Sequence, residues 1–96
     1  MAGELAYAAS KGAIEAFTVT LAAELAPRGF TVNALNPGPT ETGWMTEAER
    51  VTTASLFPGG RINQPEGVAR VAAFLVSDEA ASITGQVIHA EGCFRR

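Results

Sequence analysis

Residues 5–26, LAYAASKGAIEAFTVTLAAELA, carry Ile14, Phe17, Leu21 and Leu25 at spacings of three and four, the period of a helix. Alanine fills most of the remaining faces. The predicted helix is therefore apolar nearly all round, and such a helix expects burial on more than one side. Pro27 and Gly29 end it. A chain built on this element needs neighbours that cover it.

The segments that follow alternate in type. Residues 30–35 (FTVNAL) are short and rich in β-branched and aromatic side chains, which predicts a strand. Asn36-Pro37-Gly38-Pro39 neither continues a strand nor starts a helix, and is expected to be a loop. Thr46 and Glu49 have the S/T-x-x-E spacing of a capping box, predicting a short helix to about Leu56, and Pro58-Gly59-Gly60 breaks the chain again. Gln64 then precedes Pro65 at a first helical position, with Glu66 suited to a helix N-terminus. Val68, Val71, Ala72 and Leu75 follow the i, i+3, i+4, i+7 rule, and Ser77-Asp78 closes that helix. After the turn at Thr84-Gly85, residues 86–90 (QVIHA) predict a last strand.

The order is helix, strand, short helix, helix, strand. Two strands joined through helical material predict parallel pairing with a right-handed crossover, an α/β arrangement. Two strands alone make a marginal sheet, so residues 1–96 are expected to be one partial domain. Hydrophobic residues form 47% of the chain and charged residues 18%, as in a packed globular protein. The net charge of −3, with no basic run longer than Arg95-Arg96, excludes an electrostatic footprint for nucleic acid or an anionic membrane. Lys11, Glu15 and Glu24 interrupt the longest apolar stretch too often for a membrane span. Cys93 is the only cysteine, so no intrachain disulfide forms, and the N-terminus has no basic region of a signal peptide. The expected setting is soluble and cytoplasmic.

Tyr7 and Lys11 lie four apart on the first helix, one turn apart on the same face. A phenol ordinarily ionises near pH 10, too high for acid–base work near neutrality; bringing it down by roughly 3 takes about 4 kcal/mol. An ammonium about 4 Å away supplies on the order of 4 kcal/mol at an effective dielectric of 20. A Tyr–Lys pair is thus a workable proton-transfer device. The same spacing also occurs in helices where a half-buried Tyr merely sits beside a solvated Lys.

The surrounding text decides between them. YAASKGAIEAFTVTLAAELAPRGFTVNALNPGPTET resembles the active-site helix and following strand of the short-chain dehydrogenase/reductase family, and QPEGVARVAAFLVSDEAASITGQVIHAEG resembles its last helix and strand. The Y-x-x-S-K, N-P-G and I-T-G-Q motifs occur in the family's order. The resemblance, which is to 3-oxoacyl-ACP-reductase-like members, implies the C-terminal part of a Rossmann-like doubly wound parallel sheet, incomplete without its upstream βαβ units. It implies NAD or NADP as cofactor and a small carbonyl or alcohol substrate. By position, Tyr7 would exchange a proton with the substrate oxygen, and Lys11 would bind the nicotinamide ribose and lower the tyrosine pKa. Pro37 and Gly38 match the turn that approaches the nicotinamide. Thr40 falls where a backbone amide meets the carboxamide, and Thr42 matches a hydroxyl-bearing position nearby. The family more often has an apolar residue in place of Thr40. Its catalytic serine, its glycine-rich phosphate turn and its ribose selector all lie upstream of the stretch corresponding to this chain, so no pyrophosphate site is expected here. The family also implies a homo-oligomer, through the helix of residues 5–26 and through the C-terminal helix and strand.

Other residues carry less. Trp44, Met45 and Phe57 flank the region matching the family's substrate loop, where they line a pocket or pack a core. His89 has no partner at metal-ligand spacing, and no metal site is expected. Glu91 reads as a solvated residue at a strand end, and Cys93 stands where similar sequences carry a second glycine. An alternative to the oxidoreductase is a non-catalytic chain that self-associates or pairs with a related full-length subunit. A plainer one is an unrelated small α/β domain with a structural Tyr and Lys.

Overall fold

A computed structural model describes residues 3–95. The elements in chain order are α1 (Leu5–Leu25), a 3-10 turn (Ala26–Arg28), β1 (Ala34–Asn36), α2 (Glu47–Ser55), α3 (Pro65–Leu75), a second 3-10 turn (Asp78–Ala80) and β2 (Val87–His89). β1 and β2 pair as a small parallel sheet.

The helices fall where the pattern places them. α1 tightens into its 3-10 turn at Pro27 and stops at Gly29, whose φ of 81° is open to glycine without steric cost. α2 begins at the predicted capping box: Glu49 N–H donates to Thr46 Oγ1 (3.2 Å) and Thr46 N–H to Glu49 Oε1 (2.9 Å). α3 starts at Pro65 and ends at Leu75, two residues before Ser77.

The strands differ from expectation. β1 lies at Ala34–Asn36, not 30–35, and β2 is the middle three residues of the predicted 86–90. Residues 32 and 33 find other partners: Val32 N–H donates to Thr84 Oγ1 (3.0 Å) and Asn33 Nδ2 to Ile83 O (3.0 Å). Gln86 N–H returns a bond to Asn33 Oδ1 (3.2 Å). Side-chain bonds of this kind satisfy the backbone locally and compete with a ladder. Asn36, expected in the loop, belongs to the strand and accepts from Ala90 N–H at 2.9 Å. Pro37, which has no N–H, ends the pairing there.

The chain divides into two compact units. The first runs to Ala34 and resumes over Leu75–Ile88. Its buried residues are Thr18, Ala22, Leu75 and Ala80, and Thr18 Oγ1 is satisfied by Ile14 O at 2.7 Å. A Cβ on Gly85 would stand 3.5 Å from the Ala22 methyl, an ordinary packing distance. The burial of α1 on several sides does not occur within the unit: Leu5, Ile14, Phe17 and Val19 are exposed. Besides α1 the unit holds only short segments, enough to cover the Thr18–Ala22 side alone.

The second unit comprises Leu35–Phe74 and the chain from His89 onward. Met45 and Phe57 form its buried centre, at 4% and 2% exposure. Phe57 packs on Phe94 with the rings tilted by 49° and their centroids 5.0 Å apart, and Arg95 N–H donates to Leu56 O (2.8 Å), holding the C-terminal segment against the end of α2.

Candidate active site

Tyr7 and Lys11 sit one turn apart on α1, as the spacing requires, and the lysine reaches back over the ring with Nζ 5.2 Å from its centroid. This is a cation–π contact made possible by the i, i+4 geometry. Ser10, between them, turns its hydroxyl onto Tyr7 O at 2.8 Å, the local back-bond of a mid-helix serine. Tyr7 is 60% exposed, so its phenol and the ammonium both meet solvent. In that setting water screens the attraction between the groups.

Pro37, Gly38, Thr40 and Thr42 belong to the second unit. Gly38 has φ +66° and donates its N–H to Asn36 Oδ1 (3.2 Å). A Cβ at Gly38 would come within 3.2–3.3 Å of Cβ, Cγ and Oε2 of Glu91. Glycine is thus required twice over, by conformation and by space. Thr40 closes the turn: its Oγ1 donates to Gly38 O (3.1 Å), and its own carbonyl accepts from Trp44 Nε1 (3.0 Å). Thr42 is exposed. Of the three substrate-loop candidates, Trp44 lies at the surface, whereas Met45 and Phe57 are packed inside their unit.

Three features were invisible in the sequence. Glu91, read as solvated, is 6% exposed, and its Oε1 is 2.8 Å from His89 Nδ1. It is buried because the strand end turns it against Gly38, where a carboxylate needs partners. Asn63 donates both hydrogens of its amide, to Pro37 O (2.7 Å) and Ala90 O (2.8 Å). Glu41 accepts from the Arg50 guanidinium and from Gly43 N–H (2.9 Å), and these two bonds, the first the stronger, hold its carboxyl below the usual carboxylate range. An open groove of about 410 Å³ lies beside that ion pair, lined by Glu41, Arg50, Val51, Ala54 and Ile62 among others. Nothing in helical or strand periodicity marks these residues: Asn63 and Glu91 meet segments more than 25 residues away, and Glu41 meets Gly43 and Arg50 through a loop that follows no repeat. Among the described residues no group of three or more His, Cys, Asp or Glu is placed to hold a metal ion, and no helix is long and apolar enough to cross a membrane.

Comparison with known proteins gives the chain its relatives. A family model described as enoyl-(acyl carrier protein) reductase matches residues 1–94. An uncharacterized oxidoreductase of Bacillus subtilis, YjdA, is 62% identical over 94 residues, covering 98% of this chain and 38% of that protein. The 3-oxoacyl-(acyl-carrier-protein) reductase FabG of Vibrio cholerae is 44% identical over 95 residues, 95% of this chain and again 38% of that one. The crystal structure of 3-oxoacyl-(acyl-carrier protein) reductase from Brucella melitensis superposes with a TM-score of 0.87 at 39% identity, over 94% of this chain and 35% of that structure. The chain therefore spans about 38% of the length of the curated relatives it matches. With helices and a small parallel sheet that superpose on part of a reductase, and a family match along nearly its whole length, the chain belongs to the short-chain dehydrogenase/reductase family.

Proposed function

We propose that this chain supplies the proton-transfer and nicotinamide-facing part of an NAD(P)-dependent oxidoreductase acting on a carbonyl or alcohol. The observation that carries the reading is the Tyr7–Lys11 pair, one turn apart on a helix that matches the family over its full length. Tyr7 gives its phenolic proton to the substrate oxygen during reduction and takes it back during oxidation. Lys11 holds the phenol in place through its ring face, stabilises the phenolate electrostatically and offers donors to ribose hydroxyls. The cofactor, when bound, supplies or accepts the hydride.

The loop fits that group's nicotinamide end. Gly38 N–H is committed to Asn36 Oδ1 and Glu41 N–H to Asn63 O, and Pro39 has none, so the Thr40 and Thr42 amides are the donors a carboxamide would meet. Pro37, Gly38, Thr40 and Thr42 would hold it there. No glycine-rich strand–turn–helix occurs in the chain for a pyrophosphate, so the 96 residues are expected to be inactive by themselves. The named relatives make acyl thioesters the first substrates to test. The complete enzyme is read as a cytoplasmic homo-oligomer joined through α1 and through α3 with β2.

The test replaces the corresponding 38% of the Bacillus subtilis relative with this chain and follows NAD(P)H oxidation with carbonyl substrates. Tyr7→Phe is expected to lower kcat by about 10²-fold or more, the usual contribution of a positioned acid. Activity within a few-fold of the unmodified chimera would refute the role of Tyr7. A chimera that folds, binds cofactor and reduces nothing would favour the non-catalytic pairing chain instead.

A further inference from the structure

The loop from Asn36 to Glu41 is fastened at both ends by a residue that lies far from it in sequence. Both hydrogens of the Asn63 amide are committed, one to Pro37 O and one to Ala90 O. Its backbone carbonyl accepts from Glu41 N–H at 2.9 Å, and its backbone forms a parallel bridge with Thr40. Ala90, the second carbonyl on the amide, donates its own N–H to Asn36 O (2.9 Å), which closes the circuit on the loop's first residue. One asparagine thus joins the start of the loop, its end and the residue following β2. These groups are part-buried, where a carbonyl left without its donor is costly. No aspartate, serine or alanine at this position presents two N–H donors.

We infer that Asn63 is a positioning residue: it sets the shape of the 37–41 loop, and through that loop it sets affinity for the nicotinamide end of the cofactor. The second half rests on the reading of the loop proposed above; the first stands on the bonds alone. Glu91 completes the arrangement from the other side, its carboxylate packed against Gly38 and bonded to His89.

The experiment follows amide hydrogen exchange by NMR in the 96-residue chain, with Asn63→Ala and Asn63→Asp as variants. Exchange at Gly38, Glu41 and Ala90 is expected to rise about tenfold or more in both, while Ala22 in α1 and Arg50 in α2 keep their wild-type rates. Asn63→Asp is the discriminating variant, because it keeps size and shape but loses the amide donors. If it exchanges like wild type, Asn63 only fills space and the inference is wrong. Should either variant unfold the second unit, the wild-type chain still decides. The Asn63 side-chain amide should exchange about tenfold more slowly than that of exposed Gln64, and equal rates would overturn the proposal. Titration with nicotinamide mononucleotide separates the two halves. Loop resonances that shift in wild type, with affinity about tenfold weaker in the variants, support both. A loop that loosens on substitution yet never responds to the nucleotide leaves Asn63 as its organiser and removes the cofactor reading.

Discussion

Cys93 adopts φ +58°, and it is the one non-glycine residue with positive φ among the described residues. A Cβ in that region crowds the neighbouring carbonyl, at a cost of about 1–2 kcal/mol. Cys93→Gly is therefore expected to raise the urea midpoint of the second unit, by about 1 kcal/mol in stability after glycine's own entropic cost. An unchanged or lower midpoint would show that the strain is relieved elsewhere. The position was legible as a glycine site because similar sequences carry glycine there; the reason became visible only as a backbone angle. Glu91 shows the reverse. An acidic residue at a strand end looks solvated in the sequence, and only the approach of Gly38 and His89 makes it buried and bonded.

At the scale of elements, α2 is a helix whose start is chemical. Its capping box holds Glu49 below the usual carboxylate range, chiefly through Thr46 N–H and then through the Thr46 side chain. Glu41 is held down by Arg50 on the same helix and by Gly43 N–H. A carboxylate whose folded pKa is depressed contributes stability above its ordinary value, here 4.5, and loses it as pH falls through the folded value. Arg50, raised chiefly by the same bond to Glu41, stays charged throughout. The helical chemical shifts of α2 should therefore hold steady from neutrality to about pH 5 and decay below about pH 4.5. Thr46→Ala should cost about 1 kcal/mol and shrink that acid transition. A Glu41 or Glu49 carboxyl that titrates at or above 4.5 in the folded chain would contradict the assignment. The start of this element was legible in the sequence, because a capping box is local. β1 was the least: FTVNAL has strand composition, but Thr84 and Asn33 side chains take up bonds that a ladder would have used.

On the scale of the whole molecule, the most apolar element is the most exposed. Ile14 and Phe17 of α1 stand 51% and 64% open to solvent, with Leu5 and Val19 beside them in exposure. Several large apolar side chains exposed on one helix favour association. The 96-residue chain is expected to sediment as oligomers, and Ile14→Glu combined with Phe17→Glu to shift it toward monomer, weakening association by about tenfold or more. A wild-type chain that stays monomeric at its highest soluble concentration would rule this out.

The sequence alone determined the helices, the caps and breaks between them, the Tyr7–Lys11 spacing and the family, because each depends on neighbours within about two turns or on motif order. Tertiary structure alone decided which residues are buried, where the strands pair and what holds the 37–41 loop. Those depend on contacts such as Asn63 with Pro37 and Ala90, or Glu91 with Gly38, between segments that no local period connects.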